Sequence, residues 1–288
     1  ALGRAEWRMR GEAPSQHDFD HVYTHQLYAG FGHKQFGELT YGNMVTITDE
    51  VKQSDLANTY SLTDGLLETS ARRVTQYVYN GDYGSNKVKF GAYYGGSSKR
   101  NIKNVDLKNN RKNTWGTGLI FNHEIDSIQN VTVAAGFTRE ISENANKTAY
   151  YSNAYALGLA YNFVHTTYGL DLAHKDTKNK GGAGNKVKNN EVTAVIRQGL
   201  NEDWNVYAMY SYKTEKTLPV GSAYSKSTAR QFMVGTEYYV FKQGSLKVKP
   251  FIEWQATRTK YENTVNKAGQ QLDRSRDFKT VIGLRAYW

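Results

Sequence analysis

The sequence predicts an all-β protein, a transmembrane antiparallel β-barrel, and three observations carry that prediction. About 14 segments alternate apolar and polar residues with a period of two, the mark of a two-faced strand. Their large apolar side chains fall on one face and their small or polar ones on the other, the reverse of a soluble sandwich, which turns its bulk inward. The connections between them alternate between short and long, as in barrels with tight periplasmic turns and extended outer loops. Composition fits. The chain has 288 residues, 22 Tyr, 26 Gly, 3 Pro and no Cys, with 37 Lys and Arg against 27 Asp and Glu for a net charge of +10. Without cysteine there is no disulfide scaffold, thiolate zinc site or iron–sulfur cluster. No apolar run approaches the length of a membrane-spanning helix. No signal-peptide pattern opens the sequence, so it reads as a mature chain or a fragment.

The segments lie near 2–11, 20–32, 35–42, 72–81, 86–96, 113–125, 128–140, 149–162, 164–175, 189–200, 203–214, 228–241, 245–259 and 275–288. Most have the length that a tilted strand needs to cross a bilayer. The stretch 149–163 shows the grammar. Tyr151, Tyr155, Leu157, Leu159, Tyr161 and Phe163 share one face; Ser152, Ala154, Ala156, Gly158, Ala160 and Asn162 share the other. End aromatics suit the membrane interfaces, and the small set suits a wet lumen. The same alternation recurs in 164–172, 204–212, 246–256 and 278–288. Short connections are expected at 32–35, 81–86, 126–127, 162–165, 201–203 and 242–245, and long ones at 11–20, 43–71, 97–112, 141–148, 176–188, 215–227 and 260–274. The rhythm never breaks, so residues 1–288 read as a single domain.

Within this pattern the connection 43–71 stands out. It is the longest, and it carries Asp49, Glu50, Asp55, Asp64 and Glu68 against one lysine in a basic protein. Long structured loops of this kind are commonly functional. Parity supplies candidate basic wall residues. If Ala5, Trp7 and Met9 face lipid, then Arg4, Glu6, Arg8 and Arg10 face the lumen. If Val74 and Val78 face lipid, then Arg73 faces the lumen.

Four stretches, in this order and spacing, carry a family resemblance: Phe36-Gly37-Glu38-Leu39-Thr40-Tyr41-Gly42, the acidic 43–71 connection, Arg72-Arg73-Val74, and the terminal Val281-Ile282-Gly283-Leu284-Arg285-Ala286-Tyr287-Trp288. Together they resemble the general bacterial porins of the trimeric, sixteen-stranded kind. The resemblance implies a homotrimer in the outer membrane of a Gram-negative bacterium and a water-filled channel for small hydrophilic solutes and ions. It also implies that 43–71 folds into the lumen as a constriction and that the last aromatic, Trp288, is read by the barrel-assembly machinery. Leu2-Gly3-Arg4-Ala5 resembles the start of the family's third strand, which implies two strands before it. Two positions depart from the family pattern: Asn43 stands where an arginine is usual, and Trp288 where the family ends in Phe.

At a narrow point between low-dielectric walls, transverse charge is poorly screened. The five loop acids and the arginines therefore suit a constriction; the alternative is that the acids solvate a surface loop. The basic connections, with Lys99, Arg100, Lys103, Lys108, Arg111 and Lys112, then Lys178, Lys180, Lys186 and Lys188, suit phosphates of outer-membrane lipid and lipopolysaccharide or simple solvation. Their charge is too scattered for a nucleic-acid face. No metal, cofactor or catalysis is expected. His17, His21 and His25 recur every four residues, which on a strand is roughly 13 Å, too far for two ligands of one ion. No nucleophile–base pair is evident, which disfavours an outer-membrane enzyme. A soluble carbohydrate-binding β-protein would gather its aromatics in a cleft rather than two belts. A complete monomeric 14-stranded channel remains the nearest alternative.

Overall fold

In the computed structural model, residues 1–10, 21–144, 147–180, 185–221, 223–265 and 270–287 are described. His17, the glycine run 181–184 and Trp288 lie outside the described residues, as does the side chain of Arg10. Among the described residues sixteen strands follow one another: β1 (Leu2–Arg10), β2 (His21–His33), β3 (Gly37–Val45), β4 (Ser70–Tyr83), β5 (Asn86–Gly95), β6 (Ser98–Arg100), β7 (Asp106–Asp126) and β8 (Gln129–Asn144). Then come β9 (Lys147–Phe163), β10 (Thr166–Asn179), β11 (Lys186–Gly199), β12 (Trp204–Leu218), β13 (Ser225–Tyr238), β14 (Phe241–Gln243), β15 (Leu246–Val265) and β16 (Gln271–Tyr287). Fourteen are the long strands that alternation marks. β6 and β14 are three-residue flaps on β7 and β15, too short for alternation to register.

Each long strand pairs antiparallel with its neighbour in sequence, in one sheet. Several strands run past the alternating stretches. β7 has 21 residues and β15 has 20, so the connections around 97–112, 141–148, 176–188, 215–227 and 260–274 are shorter than the sequence suggested. Ladder hydrogen bonds need only backbone; Lys-, Asn- and Thr-rich extensions continue the sheet beyond the lipid without an apolar face.

The two faces divide as alternation requires. Ile282 is 78 % exposed, Phe31 77 % and Trp7 64 %, and the large residues of β9 (Tyr155, Leu157 and Phe163) are exposed with them. Opposite them on β9, Ser152, Ala154, Gly158 and Ala160 are buried. Such an apolar exterior is a liability in water and a match in lipid. The inner face is only partly wet. Three apolar clusters lie inside, built from inward residues such as Val74, Val195, Met209 and Met233 together with Ile47, Val51, Leu62 and Leu67 from the β3–β4 connection. One connection thus touches strands from β4 round to β16, which requires the sheet to curl about it.

Candidate functional site

The connection between β3 and β4 is residues 46–69, slightly shorter than 43–71, because Asn43–Val45 and Ser70–Ala71 belong to the flanking strands. It closes at its base by Thr46 N–H donating to Thr69 O at 2.8 Å. A short 3-10 helix, Ile47–Val51, follows at once. Two glutamines of the wall seat its entrance: Gln26 Oε1 accepts from Val45 N–H at 3.1 Å and Gln76 Oε1 from Ile47 N–H at 2.7 Å. Ile47 and Val51 then bury against the inner faces of β4, β5, β8 and β9. The wall is thin there by sequence. A Cβ on Gly158 would stand 2.1 Å from Val51 O, and one on Gly169 2.5 Å from Gln53 O.

Beyond Lys52 the attachment changes. Three carboxylates on separate strands receive backbone amides of the segment. Asp171 on β10 accepts from Gln53 N–H and Ser54 N–H, both at 2.8 Å, and from Ser54 Oγ at 2.5 Å. Glu253 on β15 accepts from the amides of Asn58, Thr59 and Tyr60 at 2.6, 2.9 and 2.8 Å, and from Tyr207 Oη at 2.8 Å. Glu191 on β11 accepts from Asp64 N–H at 2.8 Å and Gly65 N–H at 3.3 Å. Asn58 also donates to Glu237 at 2.8 Å, and its carbonyl receives the Arg285 guanidinium. Glu237 is itself paired with Lys249 and Arg197. A buried carboxylate is costly unless hydrogen-bonded; here unpaired loop amides and buried acids satisfy each other.

These wall acids were not singled out in the sequence. Their signal was there: Asp171 and Glu253 sit on the small, polar face of alternating strands, where a lone mid-strand carboxylate needs a partner. The partner is backbone, which carries no sequence signature.

The five loop acids are each brought to a cation. Asp49 and Asp55 flank Lys52 at 3.6 Å each. Glu50 pairs with Lys89 of β5. Asp64 pairs with Lys213 of β12 at 2.5 Å. Glu68 bridges Arg111 of β7 at 2.9 Å and Lys175 of β10 at 3.1 Å, and Arg111 also grips Glu140. Burial pushes the Glu68 carboxyl up, but Lys175 and Arg111 overcome it and hold the group below the usual carboxylate range.

Of the arginines chosen by parity, Arg4 and Arg8 both pair with Glu6, at 2.8 and 2.6 Å, and Glu6 accepts from Gln26 at 2.7 Å. They therefore stand beside the base of the segment, not across from its acids. For Arg73 the parity premise is corrected. Val74 and Val78 do not face lipid; they are buried with Ile47. The β3–β4 connection gives these valines an apolar partner on the inner face, so the same alternation turns Arg73 outward. Arg73 is exposed, and its amide donates to Asn43 Oδ1 at 3.1 Å. The cations that meet the acids across the barrel are Lys89, Arg111, Lys175 and Lys213. Lys89, Lys175 and Lys213 lie within predicted strands, but the alternation was not carried as far as those positions.

The family model for the Gram-negative porin matches residues 2–249. A major outer membrane protein of Pasteurella multocida is 23 % identical over 273 residues, spanning 93 % of this chain and 68 % of that protein. Among solved structures, the in-vitro folded outer membrane protein OmpT of Vibrio cholerae superposes with a TM-score of 0.65 at 16 % identity, covering 99 % of this chain and 84 % of that one. An anion-selective porin of Comamonas acidovorans gives 0.54 at 13 % identity, covering 94 % and 77 %. The chain belongs to the Gram-negative porin family and is an outer-membrane β-barrel channel for passive diffusion.

Proposed function

We propose that residues 46–69 form the constriction of this channel, with their acids and the facing wall cations setting a transverse field that every permeating ion crosses. The observation that carries this reading is the hydrogen bonding of the segment's amides to Asp171, Glu191 and Glu253, on three strands far from its own base. Four of the acids keep exposed carboxylates, with Asp64 the most open at 62 %. Low-dielectric walls leave such charges poorly screened. Neutralising Asp49, Glu50, Asp55, Asp64 and Glu68 together leaves Lys89, Arg111, Lys175 and Lys213 without those partners and moves selectivity toward anions. Reversal potentials across a planar bilayer in a salt gradient test this; an unchanged reversal potential returns the segment to a structural role.

The finer reading is a non-enzymatic homotrimer. The acids around the segment are engaged in holding amides or cations, which supports a channel and not a catalyst. A trimer form of OmpT of Vibrio cholerae, with a TM-score of 0.64 to this chain, supports the assembly. Trp288 would serve as its assembly signal: Trp288→Ala is expected to lower surface levels in cells, read by immunolabelling.

A further inference from the structure

On the outer surface of β12, β13, β15 and β16, aromatic and cationic rows succeed one another. Phe232 and Trp254 meet edge to face at 6.5 Å, and Trp254 stacks on Phe278 at 6.2 Å. These rings share the outward face with Ile252 and Ile282, both exposed. One step further toward the long-connection end, the register places Arg230 directly opposite Arg258, and Arg258 directly opposite Arg276. The next row on the same face sets Thr228 opposite Lys260 and Lys260 opposite Arg274. Each row lies ~7 Å beyond the last.

Like charges directly opposite one another on antiparallel strands are destabilising, and here three arginines stand in line. Neighbouring acids do not relieve them. Glu262 is 3.9 Å from Lys226, and Asp273 is 3.5 Å from Arg274. Among the described residues, Arg230, Arg258, Lys260 and Arg276 have no ion pair or side-chain hydrogen bond. Thr228, Arg230, Arg258, Lys260 and Arg274 line a groove of about 190 Å³.

We propose that this groove binds the phosphate of a lipid headgroup in the outer leaflet. Guanidinium forks match phosphate oxygens in pairs, and a phosphate between the rows turns cross-strand repulsion into bridging. The position selects lipid over a free anion. The rows face outward, not into the lumen, and stand just past an aromatic belt of the kind that marks the headgroup level. Acyl chains attached to the phosphate would lie along Phe232, Trp254 and Phe278. Basic pockets beside membrane spans hold anionic headgroups by this logic.

The test uses the purified chain in detergent, with native mass spectrometry reading bound lipid. The probes are diphosphoryl lipid A, the same lipid without phosphates, and inorganic pyrophosphate. The parent is expected to hold diphosphoryl lipid A at least tenfold more tightly than Arg230→Ala/Arg258→Ala/Arg276→Ala. The dephosphorylated lipid should bind both proteins alike. The matching arginine-to-lysine triple keeps the charge but not the forks and should bind between the parent and the alanine triple, and the single Arg258→Ala should lose part of the binding, so the result does not hang on one variant folding. Single-channel conductance equal to the parent's shows that each variant is a formed barrel. Equal lipid affinity in parent and alanine triple overturns the proposal. So does pyrophosphate displacing the lipid at equal concentration, which marks a free-anion site. A changed subunit count with unchanged lipid binding also overturns it, because the face is then covered by a second copy of the chain.

Discussion

Residues 46–52 and 53–65 run end to end inside the barrel, yet they are fastened differently. The first stretch buries Ile47 and Val51 against glycine- and alanine-lined wall, with two glutamines at its entrance. The second also drops Leu62 into an apolar cluster, but its course is fixed by amides bound to Asp171, Glu191 and Glu253. Apolar seating depends on fit and area. Amide-to-carboxylate attachment depends on each acceptor staying in place. The segment therefore has a packed root and an electrostatically tethered arch, and changes in the wall should loosen them separately.

The largest expected effect is on the arch. Glu253→Ala strips three amides and the Tyr207 hydroxyl of their acceptor at once. Hydrogen bonds to charged groups are worth more than neutral ones, so the segment should lose ~4 kcal/mol of local stability. Hydrogen exchange at residues 58–60 should rise steeply while that at Ile47 and Val51 stays slow. Equal acceleration in both stretches would erase the distinction between root and arch.

A smaller effect is expected at the junction. Gly158→Ala drives a methyl toward Val51 O, Gln53 Cγ at 2.8 Å and Asp171 Oδ1 at 2.9 Å. Backbone and a tethering acid must both give way, and overpacking of this kind costs about 1–3 kcal/mol. A lowered midpoint of heat denaturation in detergent checks it; a midpoint equal to the parent's shows the junction to be pliable.

These two sites also show what the sequence could disclose. The fourteen long strands were legible, and with them the inward and outward faces of stretches such as 149–163 and 204–212, because lipid on one side and lumen on the other impose a period of two. The loop's length and acidity were legible as composition. Arg73 was misplaced because Val74 and Val78 read as lipid-facing, and the apolar connection they pack against leaves no mark on their own strand. The tethering acids escaped because their partners are backbone amides, Arg111 because β7 begins well before its apolar alternation, and Lys175 because it stands at the end of its predicted strand, past the clear alternation.

The smallest expected effect concerns Glu68, where the polarity of the tether is reversed: here the segment supplies the acid and the wall supplies the cations. Burial raises its carboxyl, but Lys175 and Arg111 outweigh burial and hold it below its ordinary value of 4.5. A group lowered in the folded state adds stability that is full above the unfolded value. That stability is lost as pH falls through the folded value. The stability gap between the parent and Glu68→Gln should therefore be flat from pH 7 to about 5 and shrink only below the ordinary carboxylate value. The gap itself should be modest, about 1 kcal/mol, because desolvation consumes much of the attraction. Lys175→Met removes the larger of the two attractions, so the folded value climbs back and the gap narrows at every pH above it. Denaturation midpoints of the parent, the two single variants and the double variant across pH 3–7 read this as a coupling. If Glu68→Gln costs the same with and without Lys175, the cations do not hold that acid, and Glu68 belongs with the packed root beside Leu67 instead of with the tethers.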